Sequence, residues 1–144
     1  MGHIEATKNL NATPDALWAV VSDPQTWDKW FTIHERWMEE PPATLTTGSE
    51  LVAKIMMLGM ANKMEWVVEE VNSPHNLVLS GAGMAGVTVK FSFDITPEGA
   101  GSTFSVSGDF EGALIKGALG KAVEKDGAKQ LDTTLEQLDA LATA

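Results

Sequence analysis

The sequence has no cysteine and no tyrosine, only three histidines (His3, His34 and His75) and a single arginine, Arg36. Without thiolates neither a disulfide framework nor a cysteine-ligated zinc can form, and three scattered imidazoles are poor material for a catalytic zinc. The missing tyrosine removes a common oxyanion donor and proton relay. No metal and no cofactor is expected. Positive charge is scarce: ten Lys and Arg against twenty Asp and Glu leave a net charge of −10 and a pI near 4.6. Such a surface repels phosphate backbones and anionic headgroups, so neither nucleic acid nor membrane is an expected partner. The longest apolar run, Ile55 to Ala61, falls far short of the ~18 residues of a membrane span. The opening Met1-Gly2-His3-Ile4-Glu5-Ala6 lacks the basic-then-apolar layout of a signal peptide, which makes a cytoplasmic location the expectation.

Familiar catalytic motifs are missing too: there is no G-x-S-x-G elbow, P-loop or H-E-x-x-H. Gly81-Ala82-Gly83-Met84-Ala85-Gly86 spells G-x-G-x-x-G, but that motif must open a helix whose N-terminus meets a pyrophosphate. Here Val87, Val89, Phe91, Phe93 and Ile95 alternate with Thr88, Lys90, Ser92 and Asp94. The glycines therefore read as a hairpin ahead of a strand with one wet face.

What the chain does have is 144 residues, 44% of them hydrophobic. At that length about 68–70% of the extended chain's surface can be buried, and one domain over 1–144 is expected. Ile4, Ala6, Lys8 and Leu10 share one face of a first strand over 3–10. Thr13-Pro14 and Asp23-Pro24 each mark a helix start and predict two short helices, the second over 24–30 with Trp27 and Trp30 on one face. Extended runs follow at 33–39, 50–58, 62–72, 76–81, 86–96 and 102–110, punctuated by Gly and Pro turns. From Gly112 to Ala144 apolar residues recur at helical spacing, giving one long amphipathic helix. Runs of strands followed by a helix predict an α+β fold: a curved seven-stranded antiparallel sheet wrapped around a long C-terminal helix, with two short helices after the first strand.

Seven methionines and five tryptophans are an excess for this length. Met56, Met57, Met60, Met64 and Trp66 fall in two neighbouring strands. Met is soft and unbranched and suits both irregular cores and variable ligand cavities. In a regular strand His34 and Arg36 share one face while Ile33, Glu35 and Trp37 share the other. The pair either orients a polar group on a ligand or lies on the wet face, bridging to Asp28 and Glu39.

The stretch Ala12-Thr13-Pro14-Asp15-Ala16-Leu17-Trp18, then Ser22-Asp23-Pro24, then Trp27 to Trp30, resembles the "A-x-P-x-x-V-W … D-P … W" pattern of the helix-grip superfamily. That superfamily, also called START or SRPBCC, includes the birch pollen allergen and the polyketide cyclase/dehydrase group. The segments Trp30 to Trp37, Gly59 to Trp66 and Gly86 to Phe91 are similar to an actinobacterial branch with one member described as the toxin of a type II toxin–antitoxin pair. The resemblance implies a cavity between sheet and last helix that holds a lipid, sterol, polyketide or other apolar molecule. Carried over by position, its lining is Trp37, Met56, Met64, Trp66, Phe91, Phe104, Val106, Ile115 and Leu119; in a binding module of this kind His34, Arg36 or a loop amide is expected to fix one polar end of the ligand. A module that binds a small hydrophobic ligand is the first expectation, more readily than an enzyme. The alternatives are a growth-inhibiting toxin acting through a protein partner and held by an antitoxin-like protein, and a polyketide cyclase or dehydratase whose turnover would be lost on replacing His34 or Arg36.

Overall fold

Thr13 caps the first helix in the way its sequence predicts. Its Oγ1 accepts a hydrogen bond from the Ala16 amide at 3.2 Å, and Pro14 takes the first position of α1 (Pro14–Val21). The structure is a computed structural model that describes residues 2–57, 59–83, 86–112 and 117–144, with only the backbone of Met60. In β1 (Gly2–Leu10) Ile4 and Leu10 are buried while His3, Glu5, Thr7 and Asn9 are exposed.

Asp23 repeats the capping device on the Gln25 amide at 3.0 Å. The helix expected over 24–30 is instead a 3-10 turn, Pro24–Thr26, running into the single turn of α2 (Trp27–Trp30). Thr26 accounts for the tightening. Its hydroxyl donates to the carbonyls of Val20 and Asp23 at 2.7 and 2.8 Å and accepts from Trp30 Nε1 at 3.0 Å.

The remaining strands are β2 (His34–Trp37), β3 (Glu50–Met57), β4 (Met60–Asn72), β5 (Asn76–Ala82), β6 (Thr88–Glu98) and β7 (Gly101–Glu111). Every adjacent pair is antiparallel, and the order across the sheet is β1-β7-β6-β5-β4-β3-β2. The chain therefore meanders from β2 to β7, and β1 closes the far edge. The glycine-rich segment leads from β5 directly to β6, which pair up to Ala82 and Thr88. The tip residues 84 and 85 lie outside the described residues.

The long helix α3 (Gly117–Ala142) lies mainly against β1, α1 and α2, with a lesser contact to β3. Residues 113–116, expected in its first turn, lie outside the described residues. Polar anchors hold its C-terminal half. The Asp139 carboxylate accepts from the Asn11 and Ala12 amides at 3.1 Å, Thr134 Oγ1 accepts from the Thr32 amide at 3.1 Å, and Gln130 Nε2 donates to the Met56 carbonyl at 3.0 Å. Leu131, Leu135 and Leu138 then join Leu17, Val21, Trp27 and Trp30 and the inward side chains of the sheet in one hydrophobic cluster. Among the described residues no helix is long and apolar enough to cross a membrane.

Candidate functional site

Pleating decides which side chains meet α3. In β3 the buried positions are Leu51, Ala53 and Ile55, so by alternation Met57 points inward and Met56 outward. Two observations agree: Gln130 Nε2 of α3 lies 3.6 Å from Met57 Sδ, and Met56 pairs with exposed Ala61. Met56, expected inward, therefore faces outward and Met57 takes the inward position, and the phase of Leu51-Ala53-Ile55 was the available signal. The register sets Met64 opposite Ala53 and Trp66 opposite Leu51. Met64, Trp66, Phe91, Phe104 and Val106, all expected in the lining, are buried on the inner face.

Trp37 is half-buried and Ile115 lies outside the described residues. Leu119 is 45% exposed. The buried stripe of α3 runs through Gly120, Gly127, Leu131, Thr134, Leu135 and Leu138, and Leu119 falls beside it.

Glycines cradle the aromatic rings of this face. A methyl at Gly81 would come within 2.7 Å of Trp66 Cε3 and of Met64 Sδ, and one at Gly108 within 2.6 Å of the Phe91 ring. One edge of the Trp66 ring and one edge of the Phe91 ring therefore close on the backbone of the neighbouring strand, leaving no room there for any larger residue. Phe91 bridges onward, its centroid 5.8 Å from that of Trp66 and 5.7 Å from that of Phe31.

His34 and Arg36 do not share a face. The register of β2 slips between them, so His34 turns inward and Arg36 stays exposed. A bulge admits an extra residue on one strand and breaks simple alternation. His34 is consequently neither on the wet face nor bridged to a carboxylate. It stands 4.4 Å from the Trp37 ring and 6.1 Å from that of Trp27. Burial pushes its pKa down to about 4 against the opposing charge of Asp28, so the ring is neutral at pH 7.

Polar groups are few in this interior. Among the described residues His34, Ser102 and Thr134 are the buried polar side chains. Ser102 donates to the Ala12 carbonyl at 2.8 Å and Thr134 is held by Thr32. The indoles of Trp27, Trp30 and Trp37 donate to the Val21 carbonyl, Thr26 Oγ1 and the Pro24 carbonyl. Both ring nitrogens of His34 and the Nε1 of Trp66, by contrast, are buried with no hydrogen-bond partner. An unpaired buried donor costs about 1–3 kcal/mol, so these atoms mark where the protein keeps polarity unspent.

On the opposite, outer face a shallow hollow of about 500 Å³ is lined by Glu65, Ser80, Thr88, Lys90, Asp109 and Glu111 among others. His3 Nδ1 sits 2.7 Å from Asp109, and its pKa is raised by Asp109 and Glu5.

Residues 1–143 match a family model described as "Polyketide cyclase / dehydrase and lipid transport". This chain belongs to that family. Its curated relatives include an uncharacterized protein of Mycobacterium tuberculosis, 26% identical over 141 residues that are 98% of this chain and 99% of the other. A second protein of that species, named as a toxin, is 27% identical over 123 residues, 85% of each chain. A START superfamily protein from Mycobacterium smegmatis superposes with a TM-score of 0.80 at 16% identity, over 99% of this chain and 98% of that one. A protein from Thermus thermophilus gives 0.81 at 15% identity, over 98% and 97%. The expected helix-grip architecture, with its curled seven-stranded sheet and long terminal helix, is thus the observed one, and likeness at this identity speaks to fold alone.

Proposed function

We propose that this protein binds a small apolar molecule between the inner face of the sheet and α3. The observation that carries the reading is how helix and sheet meet. The helix packs chiefly on the β1 edge and on α1 and α2, while the middle strands turn Met64, Trp66 and Phe91 inward. An apolar face of soft and aromatic side chains under a helix held at the edges is what ligand enclosure requires. The family's description, which includes lipid transport, supports the same reading. These side chains are nearly inaccessible as they stand, so entry requires them to move, and unbranched Met57 and Met64 have the freedom to do so. The test is native mass spectrometry of protein purified from its own host, followed by organic extraction. A stoichiometric apolar molecule is expected; a clean unliganded mass from freshly lysed cells would count against the reading.

A second reading is a growth-inhibiting toxin neutralised by an antitoxin-like protein, favoured by the relative named as a toxin. Induced expression in an actinobacterial host should then arrest growth, and unimpaired growth at high expression would dismiss it. A cyclase or dehydratase has less support, since His34 and Arg36 do not converge on one point.

A further inference from the structure

We infer that the ligand is neutral and carries an oxygen acceptor, such as a ketone, ether or alcohol on an apolar body, and that this oxygen receives a hydrogen bond from Trp66 Nε1. The inference rests on the reading of the interior as a site for an apolar molecule and adds which head group it takes.

Three observations support it. Trp66 is 1% exposed and its Nε1 has no partner, while the other fully buried indoles, Trp27 and Trp30, are both satisfied within the protein. An indole N–H only donates, so the group that completes it must accept. The ring is also held in place: its Cε3 and Cζ3 edge lies over Gly81, which leaves Nε1 on the far edge of the indole. Finally, nothing charged awaits an anion there. Arg36 is exposed, no lysine among the described residues is buried, and the nearest thing to a buried base is His34, neutral in its aromatic surroundings. A carboxylate or phosphate brought inside would be stripped of water without a counter-charge, a far larger loss than one hydrogen bond returns. A carbonyl or hydroxyl oxygen meets the donor at little desolvation cost.

The test uses the intact protein at pH 8 with three probes of equal chain length: decanol, decane and decanoate. Affinities are measured by displacement of a fluorescent apolar dye, and the indole protons are followed by NMR, that of Trp66 being the signal lost in Trp66→Phe. The expected results are that decanol binds at least tenfold more tightly than decanoate, that it moves the Trp66 indole proton downfield while decane does not, and that Trp66→Phe weakens decanol about fivefold to tenfold with decane unchanged. Phe retains most of the packing, and a melting curve establishes that the variant is folded. Decanoate binding as tightly as decanol, or Trp66→Phe leaving decanol unaffected, would overturn the head-group assignment while the apolar site stands. Failure of all three probes to bind would remove both.

Discussion

Burying His34 between Trp27 and Trp37 with neither nitrogen paired has a direct consequence for acid stability. The imidazole of the unfolded chain takes up a proton near 6.5 and the folded one only near 4. Its contribution to stability is therefore fully present above pH 6.5 and is lost as the pH falls from 6.5 to 4. The loss amounts to about 3 kcal/mol. In urea titrations at pH 7 and pH 4, the wild type should lose about 3 kcal/mol more than His34→Phe, which cannot titrate. Equal losses in the two proteins would mean that the ring is protonated at its folded position or that water reaches it. Residue by residue, Phe91 was legible in the alternation of Val87 to Ile95, which marks an inner face, while Trp66 and Phe104 were expected there from the family resemblance. The inward turn of His34 was not, because a bulge leaves no mark on two-residue periodicity.

At the scale of elements, α3 is a compromise between helix propensity and fit. Gly127 lies where a methyl would stand 2.8 Å from Ile4 Cδ1 and 3.1 Å from its Cγ2. Ala should gain about 1 kcal/mol in the helix but lose about 1–3 kcal/mol to overpacking against β1. Gly127→Ala is thus expected to destabilise the protein by about 1 kcal/mol. In an Ile4→Val background, where Cδ1 is gone, the same change should be neutral or stabilising, and a double-mutant cycle by chemical denaturation measures the coupling. Identical costs in both backgrounds would show that the glycine serves another purpose. The close approach of β1 is what offsets the cost of a glycine at this position in the helix. Leu119 illustrates the converse, since the helical pattern admitted it to the apolar stripe while the packing of α3 on β1 and α2 rotates it outward. Met56 and Met57 were likewise indistinguishable by composition, and the pleat of β3 separates them.

For the whole molecule, twenty acidic residues against ten basic ones load the folded surface with negative charge. The described ion pairs, such as Lys8 with Asp132 and Glu136 or Lys63 with Glu65, join exposed side chains and are worth little individually. Self-repulsion should therefore weaken the compact state at low ionic strength. Raising sodium chloride from 0.01 to 0.15 M shortens the screening length from about 30 to about 8 Å. The midpoint of thermal unfolding at pH 7 is expected to rise, by roughly 2–4 °C for each kcal/mol of repulsion screened. A midpoint that falls would show that the surface pairs outweigh the repulsion. Sequence alone determined the order of strands and helices, both capped helix starts and the reading of the G-x-G-x-x-G stretch as a hairpin, because each depends on local periodicity or a turn residue a few positions away; the helix-grip architecture was implied by the resemblance of its opening motifs to that superfamily. Tertiary structure alone decided that Arg36 stays outside while His34 turns in, that Met57 faces α3, and that the indoles of Trp27, Trp30 and Trp37 are hydrogen-bonded within the protein while that of Trp66 is not. Those outcomes depend on strand register and on which carbonyl lies opposite a given donor, relations between residues far apart in the chain that no local pattern encodes.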